Sequence, residues 1–495
     1  MRLRRVGALR PVGQVICARN VGASARCEEM KGDTAPDSQW SYGAYRREAK
    51  MEQSAAMTRR SFVTMAAAGA VGMAAAPGFG APSFAGAMET TAGQDDLKDR
   101  WQKLDDAIRG WWDGDLRHAN EEDIRNDPKK TLLYLPYPYI SGGGSESAFP
   151  EIYGWDTQFT NIALIDHGRL DIVRWHILDQ LFQIDRYGMV LNGNRSFYIS
   201  RGQPPLLAMS VENYLNATKN DELAVRAYPS LENEYTNYWN GPAHLTPIGL
   251  STCRDSGSET LSPPLAAECE SGLDFTPIFD GDVRRCVPIH VNVALVRHAR
   301  VLAMLAERFG WHEKAEGWRK EARQRADRIN EYCWDDKLGC YFEYDYVRKQ
   351  RLPFYSLNAF WPLWEGIASD AQARRVADRL EMFNRPHGLT FTDKDYPSPH
   401  PEYAANEWAY PEAWPPQQIV VGMALQRYGY RDKAREVSRR YIANMVETWE
   451  STGHLWERYN AVDGGHTVPV ERQPPRPLHG FTSASAVVVG RIAFS

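Results

Sequence analysis

The chain is 495 residues long, 43% apolar, and carries a formal net charge of −5. That is enough apolar material for one large globular domain or two modest ones, and the charge leaves no basic footprint for nucleic acid. With 16 Trp and 24 Tyr it is rich in aromatics; most suit a core, and several suit a groove where flat rings stack on sugar faces.

Residues 1–56 read as an upstream or disordered extension, with the natural start at Met51 or Met57. Residues 57–87 carry an address. "TRRSFV" (58–63) precedes an uncharged Ala/Gly-rich stretch from Val63 to Phe79, and small residues at 85–87 suit a cleavage site. The pattern resembles a twin-arginine export signal, whose machinery would deliver a folded protein to the periplasm or beyond. A transmembrane anchor is the alternative, but the stretch is short, and no stable membrane insertion is expected after processing. Processing leaves Cys253, Cys269, Cys286, Cys333 and Cys340. An odd count without CxxC argues against a metal site or a full disulfide framework. Cys333 with Cys340, and Cys253 with Cys269 or Cys286, stay open as pairs.

From residue 96 to 495 the pattern is one helical domain with long polar loops. Val291, Leu295, Leu302 and Leu305 share a helical face, as do Ala434, Val437, Tyr441 and Met445. "RFGWHEKA" (308–315) and "RYGYRDKA" (427–434) repeat one junction: Arg, aromatic, Gly, aromatic, then an acid and Lys-Ala. Gly310 and Gly429 can end a helix in the left-handed conformation, and the acid can start the next. Weaker versions stand at "DHGRLD" (166–171) and "ATKNDELA" (217–224). Repeated hairpins of this size predict an all-α toroid of helix pairs with its loops gathered at one end. Segments 141–158, 192–205, 251–290, 399–418 and 453–482 are those loops.

Four of the loops are unlike ordinary linkers in composition: "FPEIYGWDTQF" (149–159), "NGNRSFYISRGQPP" (192–205), "AAECESGLDFTPIFDGD" (266–282) and "NEWAYPEAWPPQQ" (406–418). "LWERYN" (455–460) adds a carboxylate flanked by aromatics. HExxH, GxSxG and Walker patterns are missing, and the 12 His lack ligand spacing, so neither metal nor cofactor is expected. "SGGGSES" (141–147) lacks the Lys-Ser/Thr of a phosphate cradle and reads as a mobile rim loop.

These segments resemble the trehalase family. The first is similar to P-G-G-R-F-x-E-x-Y-x-W-D, keeping Phe149, Glu151, Tyr153, Trp155 and Asp156. The second is close to N-G-N-R-S-Y-Y-L-S-R-S-Q-P-P. The fourth resembles Q-W-D-x-P-N-G-W-A-P and keeps Trp408, Pro411, Trp414 and Pro416. "ESGLDF" and "LWERYN" resemble E-S-G-W-D-F and L-V-E-K-Y-N, and all five occur in the family's order. The resemblance implies an (α/α)6 barrel and an inverting α-glycosidase acting on a small carbohydrate, with trehalose a candidate. Carried over by position, Asp274 is the general acid and Glu457 the general base. Leu273 and Phe275 suggest an apolar setting that keeps Asp274 protonated. Phe149, Tyr153, Trp155, Asp156, Asn192, Arg201, Gln203, Trp408 and Trp414 are implied to bind sugar.

Plainer roles stand beside these. Asp274 could cap a helix, Glu457 could pair with Arg458 at the surface, Arg201 could sit in a structural salt bridge, and Asn192 could serve a turn. Trp155, Trp408 and Trp414 could pack the core. Glu270 reads as structural, and Glu268, Asp280 and Asp282 as solvated. The departures fall together: Ala148 replaces the motif's Arg, Ala409 its Asp, and Glu412-Ala413 its Asn-Gly. The family's Arg-Pro-Glu has only Arg254, Asp255 and Glu259 as loose counterparts. Its glycine-rich lid is missing, with Glu471 and His479 as candidate substitutes. Loss of an arginine removes five donors from a polar pocket, which alters the leaving-group half more than the glucose half. Another α-linked oligosaccharide, glucosyl or mannosyl, and a non-catalytic sugar-binding relative are the competing expectations.

Overall fold

The computed structural model describes residues 91–495, apart from 147–148, 256, 258–260, 401–404 and 469–473. The extension, the export signal, Ala148, Glu259 and Glu471 therefore lie outside the described residues. In chain order the helices are α1 Thr91–Trp111, α2 Glu121–Asn126, α3 Gly154–Asp166, α4 Leu170–Tyr187, α5 Leu207–Thr218, α6 Asp221–Asn233 and α7 Pro263–Glu270. There follow α8 Ile289–Arg308, α9 His312–Cys333, α10 Trp361–Trp364, α11 Asp370–Asp378, α12 Pro415–Arg427, α13 Arg431–Thr452 and α14 Gly480–Ala493.

Alternate helices form an inner ring. Helix α3 contacts α5, α5 contacts α8, α8 contacts α10, α10 contacts α12, α12 contacts α14, and α14 returns to α3. Around it, α3 packs on α4, α5 on α6, α8 on α9, α12 on α13, and α14 on α1, while the remaining hairpin is short, α10 then α11. This is an (α/α)6 barrel. Composition sorts the two rings. Helix α14 buries every residue except Arg491, and α8 buries most of its length on all sides. Helix α9 buries only Ala315, Ala322, Arg325, Ile329 and Cys333, an amphipathic stripe. By length and composition α8 could cross a membrane, but it is buried inside the protein as a core helix.

The repeated junctions are Schellman turns. Gly310 (φ +74°) and Gly429 (φ +81°) take the left-handed conformation. The next amide then reaches back, Trp311 N to Ala306 O at 2.8 Å and Tyr430 N to Leu425 O at 2.9 Å. Gly168 (φ +76°) repeats this with Arg169 N to Leu164 O at 2.8 Å. The acids do not cap as expected: the cap positions are Trp311 and Tyr430, and Glu313 and Asp432 sit in the first turn. There a negative charge still favours the positive end of the helix.

All five described cysteines are buried free thiols. Cys340 is paired across a two-residue ladder with Asp335, and Phe342 N donates to Cys333 O, so the ladder register sets the two cysteines apart. A second ladder matters for the site: β1 Glu412–Ala413 pairs antiparallel with β2 Tyr459–Asn460.

Candidate active site

The loops rich in carboxylate and Trp each lead into the N-terminus of an inner helix, so they converge at one end of the barrel. Tyr153 is the residue before α3, and Trp155 and Asp156 lie in its first turn. The second loop is held against the first by the bridge Tyr153–Gly193 and is closed on itself by the bridge Leu191–Gly202. Between them and the later loops lies a cavity of about 150 Å³, room for roughly five waters at ~30 Å³ each. Phe149, Tyr153, Trp155, Asp156, Asn192, Gln203, Asp274, Trp408, Trp414 and Glu457 all line it, together with Tyr198, Glu407, Leu478 and Phe481.

The position of Asp274 follows from its helix. Pro263 starts α7 at its first turn, where the missing N–H costs nothing. At its far end Glu268 and Glu270 are both fully buried. Glu268 accepts from Thr276 N at 2.7 Å and pairs with His400 Nε2 at 3.2 Å, which closes the loop around Asp274. Burial pushes its carboxyl up to about 7, against the His400 bond. Glu270 accepts from Gly202 N at 3.0 Å, Arg254 N at 2.6 Å, His244 Nε2 at 2.9 Å and the Tyr238 hydroxyl. One carboxylate thus ties the second loop to the third. Ser271 O accepts from His290 Nε2 at 2.7 Å, and Gly272 turns with φ +73° against the Trp155 ring. Glu268 is therefore a buried brace, not a solvated acid, because His400 and a backbone amide replace its water.

Glu457 is held from the opposite direction. Its amide donates to Arg476 O at 2.9 Å, and its Oε2 accepts from Arg458 Nη1 at 2.5 Å. Arg458 is 1% exposed, so this is an interior ion pair and not a surface one. Its Nε also donates to Glu412 Oε1 at 2.8 Å, and Glu412 Oε2 accepts from Trp414 Nε1 at 2.7 Å. Trp414 stacks on Trp408 with centroids 3.7 Å apart, and Trp408 meets Trp155 at 5.5 Å. Burial raises the Glu457 carboxyl, Arg458 draws it down, and the negative charges of Glu412 and Asp274 push it up again.

Asp156, buried in the same cavity, is pushed up to about 7 by desolvation, opposed by its own amide and reinforced by the charges of Asp274 and Glu457. Tyr153 donates to Glu151 Oε2 at 3.0 Å, and Glu151 accepts from Arg195 Nε at 2.6 Å. Asn192 Nδ2 donates to Cys269 O at 3.0 Å, and Gln203 Oε1 accepts from Trp155 N at 3.0 Å. The Cys269 thiol is hydrogen-bonded to the Asp274 carboxyl. Leu273 and Phe275 are buried but do not line the cavity, so the walls around Asp274 come from other loops.

Several expected contributors lie elsewhere. Arg201 stands behind the wall, its Nη1 bonded to Asp255 Oδ2 at 2.6 Å. Arg254 turns away, donating from Nε to Ala243 O at 3.2 Å. His479 does not form a lid: it is buried, stacked on Trp111 at 4.5 Å and bonded to Asp115 Oδ2 at 2.8 Å. The Gly-rich segment is packed at its start, with Gly142, Gly143 and Gly144 buried and Ser145 N donating to Asp115 Oδ1 at 2.8 Å. Among the described residues no group of three or more His, Cys, Asp or Glu could hold a metal ion.

The trehalase family model matches residues 81–262 and 267–485, most of the chain. The chain belongs to the trehalase family. Among its trehalase relatives is a cytosolic neutral trehalase of Kluyveromyces lactis, 28% identical over 395 residues, which are 67% of this chain and 52% of that protein. A periplasmic trehalase of Pseudomonas aeruginosa is 28% identical over 398 residues, 71% of this chain and 70% of that protein. The chain thus spans about half the length of the first relative. Neutral trehalase from Saccharomyces cerevisiae shares the fold at TM-score 0.63 and 24% identity, over 72% of this chain and 73% of that one. A mannosylglycerate hydrolase from Thermus thermophilus does so at TM-score 0.53 and 17% identity, over 71% and 95%. Inside the trehalase motifs, two cavity residues carry no assigned role from the resemblance, and Leu478 and Phe481 lie outside the motifs. Tyr198 lies inside the second motif, and Glu407 stands immediately before Trp408 in the fourth, where the family pattern has glutamine.

Proposed function

We propose that this protein is an exported inverting α-glycosidase that releases a terminal α-linked glucose, with Asp274 as general acid and Glu457 as general base. The observation that carries the reading is that these two carboxyls, from loops far apart in the chain, line one small cavity walled by Trp155, Trp408 and Trp414. Pockets for drug-sized ligands run to ~300–1,000 Å³, so a cavity of about 150 Å³ suits one sugar ring at a chain end. Asp274 protonates the glycosidic oxygen as the bond breaks. Glu457 removes a proton from a water that attacks the anomeric carbon from the other face, giving β-glucose. The ion pair with Arg458 favours the ionised base against its burial. Asp156, Asn192 and Gln203 bind glucose hydroxyls, and the Trp rings cover its apolar face.

Trehalose is the first candidate substrate, given the family and the relatives' names. A different α-glucoside is favoured by one observation: Glu412, at the site of the motif's Asn, is committed to Arg458 and Trp414. The twin-arginine pattern at 58–63, together with relatives named periplasmic trehalases, supports export to the periplasm.

Asp274→Asn and Glu457→Gln are each expected to lower turnover of α,α-trehalose or the best α-glucoside by at least about a thousandfold, with the thermal midpoint retained. Proton NMR of the wild-type reaction should show the attacked glucose released as β-glucose; from α,α-trehalose the leaving glucose keeps its configuration, so α- and β-glucose appear together in equal amounts. Full activity in either variant, or α-glucose without initial β-glucose, sinks the assignment.

A further inference from the structure

The cavity is rich in acceptors and short of charged donors. Asp156, Asp274, Glu407 and Glu457 face it, and among the described residues no Lys, Arg or His lines it. Three of the neutral donors are engaged, Asn192 with Cys269 O, Tyr153 with Glu151, and the Trp414 indole with Glu412, which leaves Gln203 and the Trp155 and Trp408 indoles to serve a ligand. A sugar presents oxygen atoms that need donors as well as acceptors. The motif's arginine, which would have supplied five, is alanine in this sequence.

We propose that Glu407 is a specificity residue of this cavity, donating a hydrogen bond from its carboxylic acid to an oxygen of the bound sugar. The inference rests on the glycosidase reading above. Glu407 is only 9% exposed, and that exposure opens on the cavity. Its position is built. Glu407 N donates to Phe275 O at 3.1 Å, and Thr276 Oγ1 donates to Trp408 O at 3.1 Å. This two-bond stitch fixes Glu407 beside the loop that carries Asp274. Both stitched segments hold a non-glycine residue in the left-handed region, Phe275 at φ +62° and Trp408 at φ +48°. Such conformations persist where surrounding structure enforces them, and they cluster at ligand clamps.

Electrostatics make the donor. Burial acts first, raising the carboxyl well above its ordinary range. Arg458 opposes this through space, while Glu412, Glu457 and Asp274 reinforce it. The Arg458 guanidinium is already shared by Glu412 and Glu457, and three carboxylates outweigh it at Glu407, so the neutral acid prevails. A carboxylic acid then presents one O–H donor, which a glutamine at this place would supply from an amide.

The test measures D-glucose affinity by tryptophan fluorescence from pH 5 to 9 in wild type, Glu407→Gln and Glu407→Ala. In wild type, affinity should fall about tenfold or more as pH climbs through the Glu407 titration and the donor is lost. In Glu407→Gln that limb should be missing, and any remaining dependence belongs to Asp156 and Glu457, which both proteins share. Glu407→Ala should bind about tenfold more weakly than Glu407→Gln at neutral pH. Identical pH profiles in wild type and Glu407→Gln overturn the proposal. So does a thousandfold collapse of kcat in Glu407→Gln at unchanged KM, which would make Glu407 a reacting group. Absence of turnover on every α-glucoside by wild type would instead defeat the glycosidase reading, while the glucose titration still judges Glu407.

Discussion

Arg458 serves two carboxylates with one planar fork, Nε to Glu412 and Nη1 to Glu457, and that geometry is beyond a lysine. A lysine keeps the charge but presents a point, so it cannot bridge both partners. In Arg458→Lys the Glu457 carboxyl therefore loses part of what draws it down, and its titration moves to higher pH. The proposed base is ionised only above that titration, so the acidic limb of kcat/KM should shift upward by about one pH unit, equivalent to ~1.4 kcal/mol, with the alkaline limb unmoved. A pH–rate profile decides it; an acidic limb that stays in place would mean Arg458 does not tune the base. This pair also shows what the sequence could reveal. That Asp274 and Glu457 line one cavity was legible because each sits in a short ordered motif. The roles of Glu268 and His479 were not, since each depends on a partner distant in the chain, His400 and Asp115, and the salt bridge open to Arg201 came without its partner, Asp255. Glu407 was hidden for a different reason. Its chemistry depends on the summed field of three carboxylates and one guanidinium, which no local pattern encodes.

Two glycines with nearly the same backbone conformation separate what a turn does for a helix from what it does for catalysis. Gly310 (φ +74°) ends α8 and a Cβ there would meet nothing within 4 Å. Gly272 (φ +73°) follows α7, and a Cβ there would lie 2.8 Å from the Trp155 ring. That ring is wedged among Phe159, His290 and Trp408 and cannot retreat. Gly310→Ala should cost ~1–2 kcal/mol of stability from left-handed strain alone, with kcat/KM unchanged. Gly272→Ala should pay the same strain and also displace Asp274 two residues on, lowering kcat/KM by about a hundredfold, the usual effect of an ångström-scale misplacement. Thermal melts and steady-state kinetics on both variants check this, and equal kinetic losses would refute it. Gly310 was readable from its repeated flanking pattern, as were the helical hairpins and the barrel they imply. The close approach at Gly272 was not readable, because Trp155 belongs to another helix. The acids at the junctions were misassigned as caps since a first-turn charge and a cap look alike in sequence.

Taken over the whole molecule, buried titratable groups tilt stability toward mildly acidic pH. Desolvation pushes Asp156, Glu234, Glu268 and Glu343 up to about 7, and Asp179 and Glu407 well above the carboxylate range. For each, the folded chain keeps a proton that the unfolded chain has released. Their contribution is therefore full below the unfolded value of 3.8 or 4.5 and is lost as pH rises to about 7 and beyond. Buried histidines act in the opposite direction. Desolvation lowers His176 to about 3 and His290 and His298 to about 4, so stability rises with pH between about 4 and 6.5. Below that, Asp127 counts: burial opposes it, but the amides of Thr131 and Leu132 and the Arg195 guanidinium hold it low, and protonating it removes stability. Among the described residues the raised carboxyls outnumber these histidines, so the thermal midpoint should peak near the unfolded carboxyl values of 3.8 to 4.5 and decline toward pH 8. Glu234→Gln isolates one contributor away from the cavity, since the amide oxygen can still accept from Val190 N, now 2.8 Å from Glu234 Oε1. Melting from pH 4 to 8 should show this variant losing less between pH 5 and 8 than wild type. A wild-type midpoint that climbs steadily from pH 5 to 8 would mean that these carboxyls ionise inside the folded barrel without penalty.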